Sequence, residues 1–174
     1  MTDTGTVAVR PARPEEYPAI GALSVAAYGN DGQLNEHYAP ILADVAARAE
    51  HGTVLAAVDQ ETGDLLGAVT FVLPGTPYAE LSTDGEAEFR TLAVAPGAQG
   101  RGVGEALVRA CLDRAAGLGC RAVVICTRDI AAAARRLYAR LGFQRIPDRD
   151  WSPIPDVYLL ALRLELPSGS PAGR

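Results

Sequence analysis

Apolar positions recur along this chain with two periods, and the switches between them lay out its elements. Val7-Ala8-Val9-Arg10 predicts a short first strand ended by Pro11. Pro14-Glu15-Glu16 opens a helix through about Ala27, because proline is tolerated in a first helical turn and acids suit the positive end of the dipole. Tyr28 to Asp31 reads as a polar break. Roughly Asn35 to Glu50 is a second helical region, started or interrupted by Pro40. Thr53–Val58 and Leu65–Val72 are strand-like runs about Glu61-Thr62-Gly63-Asp64, a hairpin pattern. Pro74 to Gly85 is a turn-rich connection.

The second half repeats strand and helix in alternation. Glu86–Val94 predicts a strand whose period-two pattern puts Glu88, Arg90, Leu92 and Val94 on one face. A helix follows from about Gly102 to Ala116. Its apolar positions Val103, Ala106, Leu107, Ala110 and Cys111 make one buried stripe, and Gly117 and Gly119 stop it. Ala122–Cys126 reads as a fully buried strand, and Asp129 as the N-cap of a helix to Arg140 that stops before Gly142. Phe143–Ile146 is a short strand, Pro147–Pro155 a loop and Val157–Leu166 a long final strand; 167–174 reads as a disordered tail. No repeat or linker divides residues 1–166, so they are expected to form a single α/β (α+β) domain with a mixed sheet and helices on its faces.

Composition narrows the partners. The formal charge of −5 argues against a general nucleic-acid binder. No apolar run reaches the ~20 residues of a membrane helix, and the N-terminal residues lack a signal-peptide pattern, so the expectation is a cytoplasmic protein with no membrane partner. All sixteen basic residues are arginine, which excludes a Schiff-base lysine and a phosphate-loop lysine. Cys111, Cys120 and Cys126 form no Cys-x-x-Cys pair and read as free thiols behaving as small buried hydrophobes. His37 and His51 make no metal constellation with them, so no metal is expected.

The candidate chemistry lies between the strand ending at Val94 and the next helix. Gly97, Gly100, Gly102 and Gly104 form a glycine-rich turn at a helix N-terminus, where unpaired N–H groups and the dipole favour phosphate. A Walker A loop is excluded by the absent lysine. A dinucleotide fingerprint is excluded by the Gly100-x-Gly102-x-Gly104 spacing and by Val-Ile-Cys where an acid is needed. Gln99-Gly100-Arg101-Gly102-Val103-Gly104 instead resembles the Gln/Arg-x-x-Gly-x-Gly/Ala loop of the GCN5-related N-acetyltransferase (GNAT) superfamily. Leu92-Ala93-Val94-Ala95-Pro96 is similar to that family's central strand and its exit. About thirty-five residues on, Ala134-Arg135-Arg136-Leu137-Tyr138 followed by Leu141-Gly142-Phe143 resembles its second signature. The strong match covers roughly Glu86 to Phe143, and the element order extends it over most of the chain.

The resemblance implies a mostly antiparallel, twisted sheet of about seven strands flanked by about four helices. It implies acetyl-CoA as donor substrate, with amides of Gln99, Gly100, Arg101, Gly102, Val103 and Gly104 on the pyrophosphate and Arg101 adding charge. It also implies that the pantetheine arm lies along Leu92, Ala93 and Val94 like an added strand. A bulge splays that family's strand from its neighbour and leaves an N–H near Ala93 or Val94 to polarise the thioester carbonyl. Ala131 and Ala134 fall on the cofactor side of the last helix. The family often carries Asn at the position of Ala131, so one polar contact must come from another group, such as the Asp129 side chain or a backbone carbonyl.

The implied reaction is attack by a primary amine, on a small molecule or a peptide N-terminus. Tyr138 is the candidate acid for the leaving thiolate. Glu88 is the candidate base, or else a sheet carboxylate paired with an arginine; Glu86 is a second candidate. Arg135, Arg136 and Arg140 either reach the 3′-phosphate or form a solvated face. Tyr28–Tyr38, with Asn30, Asp31 and His37, and Asp148-Arg149-Asp150-Trp151 through Asp156 are the segments that flank the acceptor in this fold. Acids beside an aromatic there suit a cationic amine. Two alternatives stay open: a non-catalytic acyl-CoA-binding or sensing module, and a longer acyl donor. The edge at the final strand leaves a homodimer open.

Overall fold

The structure is a computed structural model and describes residues 6–167. Apart from Pro167, the tail expected over 167–174 lies outside the described residues. The elements are β1 (Val7–Pro11), α1 (Tyr17–Asn30), α2 (Ala39–Ala43), α3 (Val45–His51), β2 (Thr53–Asp59), β3 (Leu65–Val72) and β4 (Glu86–Val94), then α4 (Val103–Gly117), β5 (Ala122–Arg128), α5 (Ala132–Arg140), β6 (Gln144–Arg145) and β7 (Leu159–Glu165). The strands form one mixed sheet in the order β1-β2-β3-β4-β5-β7-β6. β4 pairs in parallel with β5, whereas β1 with β2, β2 with β3, and β7 with both β5 and β6 are antiparallel. The final strand is therefore not an edge: two-residue β6 covers it at Leu162 and Arg163.

Two compact units make up the chain. One is the chain up to Phe71 together with Arg90–Ala110, and the other is Val72–Phe89 together with the chain from Cys111 onward. β4 and α4 each contribute residues to both. In the first unit Ile20, Val45, Val54, Ala56 and Ala68 form a buried cluster, with Ala12, Tyr17, Ala49 and Leu65 packed against it. Fully burying side chains the size of Ile20 and Val45 contributes about 1.5–3 kcal/mol each. In the second unit β5 is buried over Ala122–Val123–Val124–Ile125 as its apolar run predicted, but Cys126, expected to be buried with them, is half-buried and the strand continues to Arg128.

Local chemistry moves several predicted boundaries. Pro14–Glu16 forms a single 3-10 turn ahead of α1. α1 continues through the expected polar break to Asn30, and Asp31 closes it by donating to the Ala27 carbonyl at 3.2 Å. The region 35–50 is two helices. Pro40 sits in the first turn of α2, and the break falls at Asp44, whose side chain accepts from Ala47 N–H at 3.2 Å to cap α3. Five α-helices result among the described residues, where about four were expected. Asp129 is not the N-cap of α5: that residue is Ala131, which offers no side-chain bond. The Asp129 backbone is used instead, its N–H donating to Tyr158 and its carbonyl accepting from Arg135, both at 3.1 Å. β7 starts at Leu159 rather than Val157, because Asp156 turns at φ 67° and Leu159 pairs with Trp151.

Candidate active site

β4 feeds the glycine loop through a 3-10 turn at Pro96–Ala98. Gly100 (φ 82°) and Gly102 (φ 75°) both adopt the left-handed conformation that an L side chain resists. A Cβ placed on Gly100 would meet nothing within 4 Å, so open space lies over the loop. The Ala106 amide bonds back to the Gly102 carbonyl at 3.0 Å. Amides of Val103 and Gly104 precede it, in the first turn where a helix has no internal acceptors. Turn, open face and donors thus fit an anion of pyrophosphate size. The guanidinium of Arg101 donates to Asp59 Oδ2 at 2.8 Å and to Thr6 Oγ1 at 3.1 Å. The bond from Arg101, with amides of Glu61 and Thr62, holds the Asp59 carboxyl below its usual range.

A left-handed residue interrupts β4 itself. Thr91 has φ 54°, an outlier for a β-branched side chain. The β4–β5 ladder runs only from Glu86↔Ala122 to Glu88↔Val124, before that residue. Burial still alternates through the kink, with Phe89, Thr91 and Ala93 buried and Arg90, Leu92 and Val94 half-buried, whereas Glu88 on the expected face is fully buried. Thr91 is held by a buried polar chain. Its Oγ1 lies 2.9 Å from Thr70 Oγ1 and donates to the Arg90 carbonyl at 2.7 Å. Arg48 Nε donates to Thr70 Oγ1 at 3.1 Å, and Arg48 Nη1 donates to the carbonyls of Ile41 and Leu42 at 3.0 and 2.8 Å. Arg48 is 2% exposed. Periodicity gave no sign of Arg48, Thr70 or Thr91.

In the second unit Tyr138 is buried against two rings, with centroids 5.9 Å from Phe89 and 5.6 Å from Phe143. Burial pushes its phenol pKa up, and the neighbouring thiols of Cys111 and Cys126 add to that. Burial likewise raises the thiols of Cys111 and Cys120.

Glu88 is completely buried. Its two oxygens accept from the backbone N–H groups of Glu80 (3.1 and 3.0 Å), Leu81 (3.1 Å) and Ser82 (3.0 Å). Glu86 is nearly as buried and accepts two bonds from Arg149, at 3.1 and 3.2 Å, and others from Thr83 N–H and Oγ1. Burial alone would raise its carboxyl, but Arg149 and Thr83 outweigh that and bring it down to about 2.

Ala131 is buried and Ala134 half-buried on α5, while Arg135, Arg136 and Arg140 are exposed on the same helix. Arg135 and Arg136 line a groove of about 390 Å³ with Ala132, Ala139 and Phe143. Of the acceptor segments, Tyr28 stacks on Tyr38 at 5.9 Å, and the Asn35 side chain caps the amides of His37 and Tyr38. Arg149 and Asp150 are structurally committed: Arg149 to Glu86 and the Leu81 carbonyl, Asp150 to Arg145 and the Ala161 amide. Among the described residues no group of three His, Cys, Asp or Glu side chains could hold a metal ion, and no helix is long and apolar enough to cross a membrane.

The fold and the loop define a class, and comparison with known proteins gives it a name. The model of the acetyltransferase (GNAT) family matches residues 10–143, and the chain belongs to that family. Three solved structures illustrate the likeness. A Desulfovibrio desulfuricans protein assigned to the GNAT family is 21% identical at a TM-score of 0.74, over 92% of this chain and 99% of its own. A GCN5-related N-acetyltransferase from Kribbella flavida is 26% identical at 0.64, over 93% and 99%. A Salmonella typhimurium protein, solved with its cofactor acetyl-CoA, is 24% identical at 0.63, over 95% and 96%. No curated protein matches the chain.

Proposed function

We propose that the protein transfers an acetyl group from acetyl-CoA to a primary amine, on a small molecule or a peptide N-terminus. The observation that carries this reading is the loop: two left-handed glycines, the first of them beneath open space, just before α4 and after the kinked strand β4. In this reading the amides of Gln99–Gly104 hold the pyrophosphate. Arg101, already paired with Asp59, contributes less charge than its position in the motif suggests. Backbone groups of Leu92–Val94 hold the amide-rich arm, and an N–H near Ala93 or Val94 polarises the thioester carbonyl. Ala131 and Ala134 border the arm without polar side chains, so α5 contributes there through its backbone. No step calls for a metal.

Tyr138 serves the leaving sulfur. With its pKa raised, the phenol is fully protonated at neutral pH and available as a donor. Complete transfer to a thiolate whose parent thiol has pKa ~8.5 is uphill. Tyr138 therefore stabilises the thiolate chiefly by a hydrogen bond formed as the C–S bond breaks. Of the two roles open to Glu88, its burial and its backbone partners favour the structural one.

A panel of amines screened for thiol release from acetyl-CoA tests the function. Release with at least one amine class supports it, and binding of acetyl-CoA with no amine-dependent release indicates a binding or sensing module. Gly102→Asp is expected to abolish acetyl-CoA binding by strain and charge, and retained tight binding would show the loop misassigned. Tyr138→Phe is expected to lower kcat about 10²-fold with the Kd for acetyl-CoA nearly unchanged.

A further inference from the structure

The connection before β4 is held far more tightly than a loop needs. Four consecutive residues of it, Glu80–Thr83, have their backbone bonded by side chains. Glu88 takes the amides of Glu80, Leu81 and Ser82, Glu86 takes that of Thr83, and Arg149 donates to the Leu81 carbonyl. Two buried carboxylates are thus spent on an irregular segment. Burying a charge is unfavourable unless every lone pair is satisfied, and here the satisfying groups are the loop's own amides. The result is that the Cα–Cβ direction of Glu80 is fixed. Its half-buried side chain reaches β5, where Glu80 Oε1 accepts from Cys126 Sγ at 3.3 Å. Cys126 lies two residues beyond the last β4–β5 pair, at Val124. The Cys126 thiol also neighbours Tyr138, whose phenol it perturbs.

We propose that Glu80 is the carboxylate that binds the acceptor ammonium group and takes its proton, with Glu88 as the positioning residue that holds Glu80 in place. The inference rests on the acetyl-transfer reading above. At neutral pH only about one alkyl amine in a thousand is uncharged. A fixed carboxylate attracts the cation and accepts the proton whose loss frees the nitrogen lone pair for attack. The steps balance. The ammonium gives one proton to Glu80, directly or through a water. Nitrogen then attacks, so that a C–N bond forms and the C–S bond breaks. Tyr138 holds the departing thiolate by a hydrogen bond, and the second nitrogen proton passes through solvent to the sulfur. The net products are the amide, the thiol and one proton released from Glu80.

Glu80→Gln keeps an acceptor for the Cys126 thiol and leaves the loop amides with Glu88, and the thermal midpoint measured beside the kinetics separates proton chemistry from folding. With an amine found active in the panel, kcat/KM for that amine is expected to fall at least 10²-fold at pH 7. The Kd for acetyl-CoA and the thermal midpoint should stay unchanged, and the loss should shrink above pH 9 as free amine accumulates. Glu80→Asp should recover part of the rate. Glu80→Gln activity within threefold of wild type, or an equal loss at every pH, overturns the role of Glu80 and leaves the acetyl-transfer reading intact. Wild-type protein that binds acetyl-CoA yet releases no thiol with any amine overturns both.

Discussion

Two buried charges stabilise this protein by opposite routes. Arg48, in the first unit, donates to two carbonyls around the end of α2 and to the Thr70 hydroxyl, which meets Thr91. Glu88, in the second unit, accepts only from backbone amides. Strand β4 carries an end of each arrangement, with Glu88 before its kink and Thr91 at it. The difference lies in what remains when the charge is removed. Around Arg48 one partner is a side chain that substitution can also remove. Around Glu88 every donor is main chain, and no substitution deletes it.

Glu88→Ala gives the largest expected effect. It leaves three amides without their acceptor, each costing about 1–3 kcal/mol if water does not replace it. A loss of about 4 kcal/mol or more in the urea unfolding free energy is expected. A loss under about 1 kcal/mol would mean that the 80–82 loop finds other acceptors and that the anionic cluster is dispensable.

Glu86 sharpens the same side of the comparison through pH. Its folded pKa of about 2 lies below that of an exposed glutamate. A depressed carboxyl stabilises the fold above its unfolded pKa and loses that contribution as pH falls through the folded one. The window is thus about pH 4.5 to 2, and the contribution at neutral pH is at most about 3 kcal/mol. Glu86→Gln should be less stable than wild type at pH 7, with a flatter thermal midpoint between pH 5 and 2. Parallel profiles for the two proteins would remove Glu86 from the acid response.

These carboxylates mark where the sequence stops being informative. Helices, strands and the glycine loop are written in local signals: period, proline, and glycine where φ is positive. The loop was therefore legible down to Gly100 and Gly102. Period two offers a face for Glu88 but cannot name a partner, and its true partners sit in a turn-rich segment with no period at all. Glu80 was missed for that reason. Thr91 gave no signal because β-branched residues ordinarily mark regular strand, and its left-handed turn is imposed by tertiary bonds. Asp44 could have been found: it follows an apolar run and precedes a helical one, as caps do.

Arg48 tests the other half of the comparison by a double-mutant cycle. Arg48→Met removes a donor from the Leu42 carbonyl, from the Ile41 carbonyl, which keeps the Asp44 amide, and from the Thr70 hydroxyl, which keeps Thr91, and about 2–3 kcal/mol of destabilisation is expected. Each single variant loses the Arg48–Thr70 bond and the double variant loses it only once, so the double variant should be about 1 kcal/mol more stable than the sum of the two singles. Strict additivity in urea titrations would show that Arg48 acts on α2 alone and does not support the kink.

Thr91→Gly is expected to move stability least, because two terms of similar size oppose each other. A β-branched residue at φ 54° stores about 1–3 kcal/mol that glycine releases. Glycine also loses the bonds to Thr70 and to the Arg90 carbonyl, about 0.5–1.5 kcal/mol each, and adds unfolded-state entropy. The net change in unfolding free energy should lie within about 1 kcal/mol of zero. Kinetics separate the terms that stability merges. If Thr91 fixes the direction of the following N–H groups at Ala93 and Val94, kcat for acetyl transfer falls while the midpoint barely moves. If both stay at wild-type values, the kink holds its shape through backbone packing, and the chain from Arg48 to Thr91 stabilises the first unit without shaping the strand's chemistry.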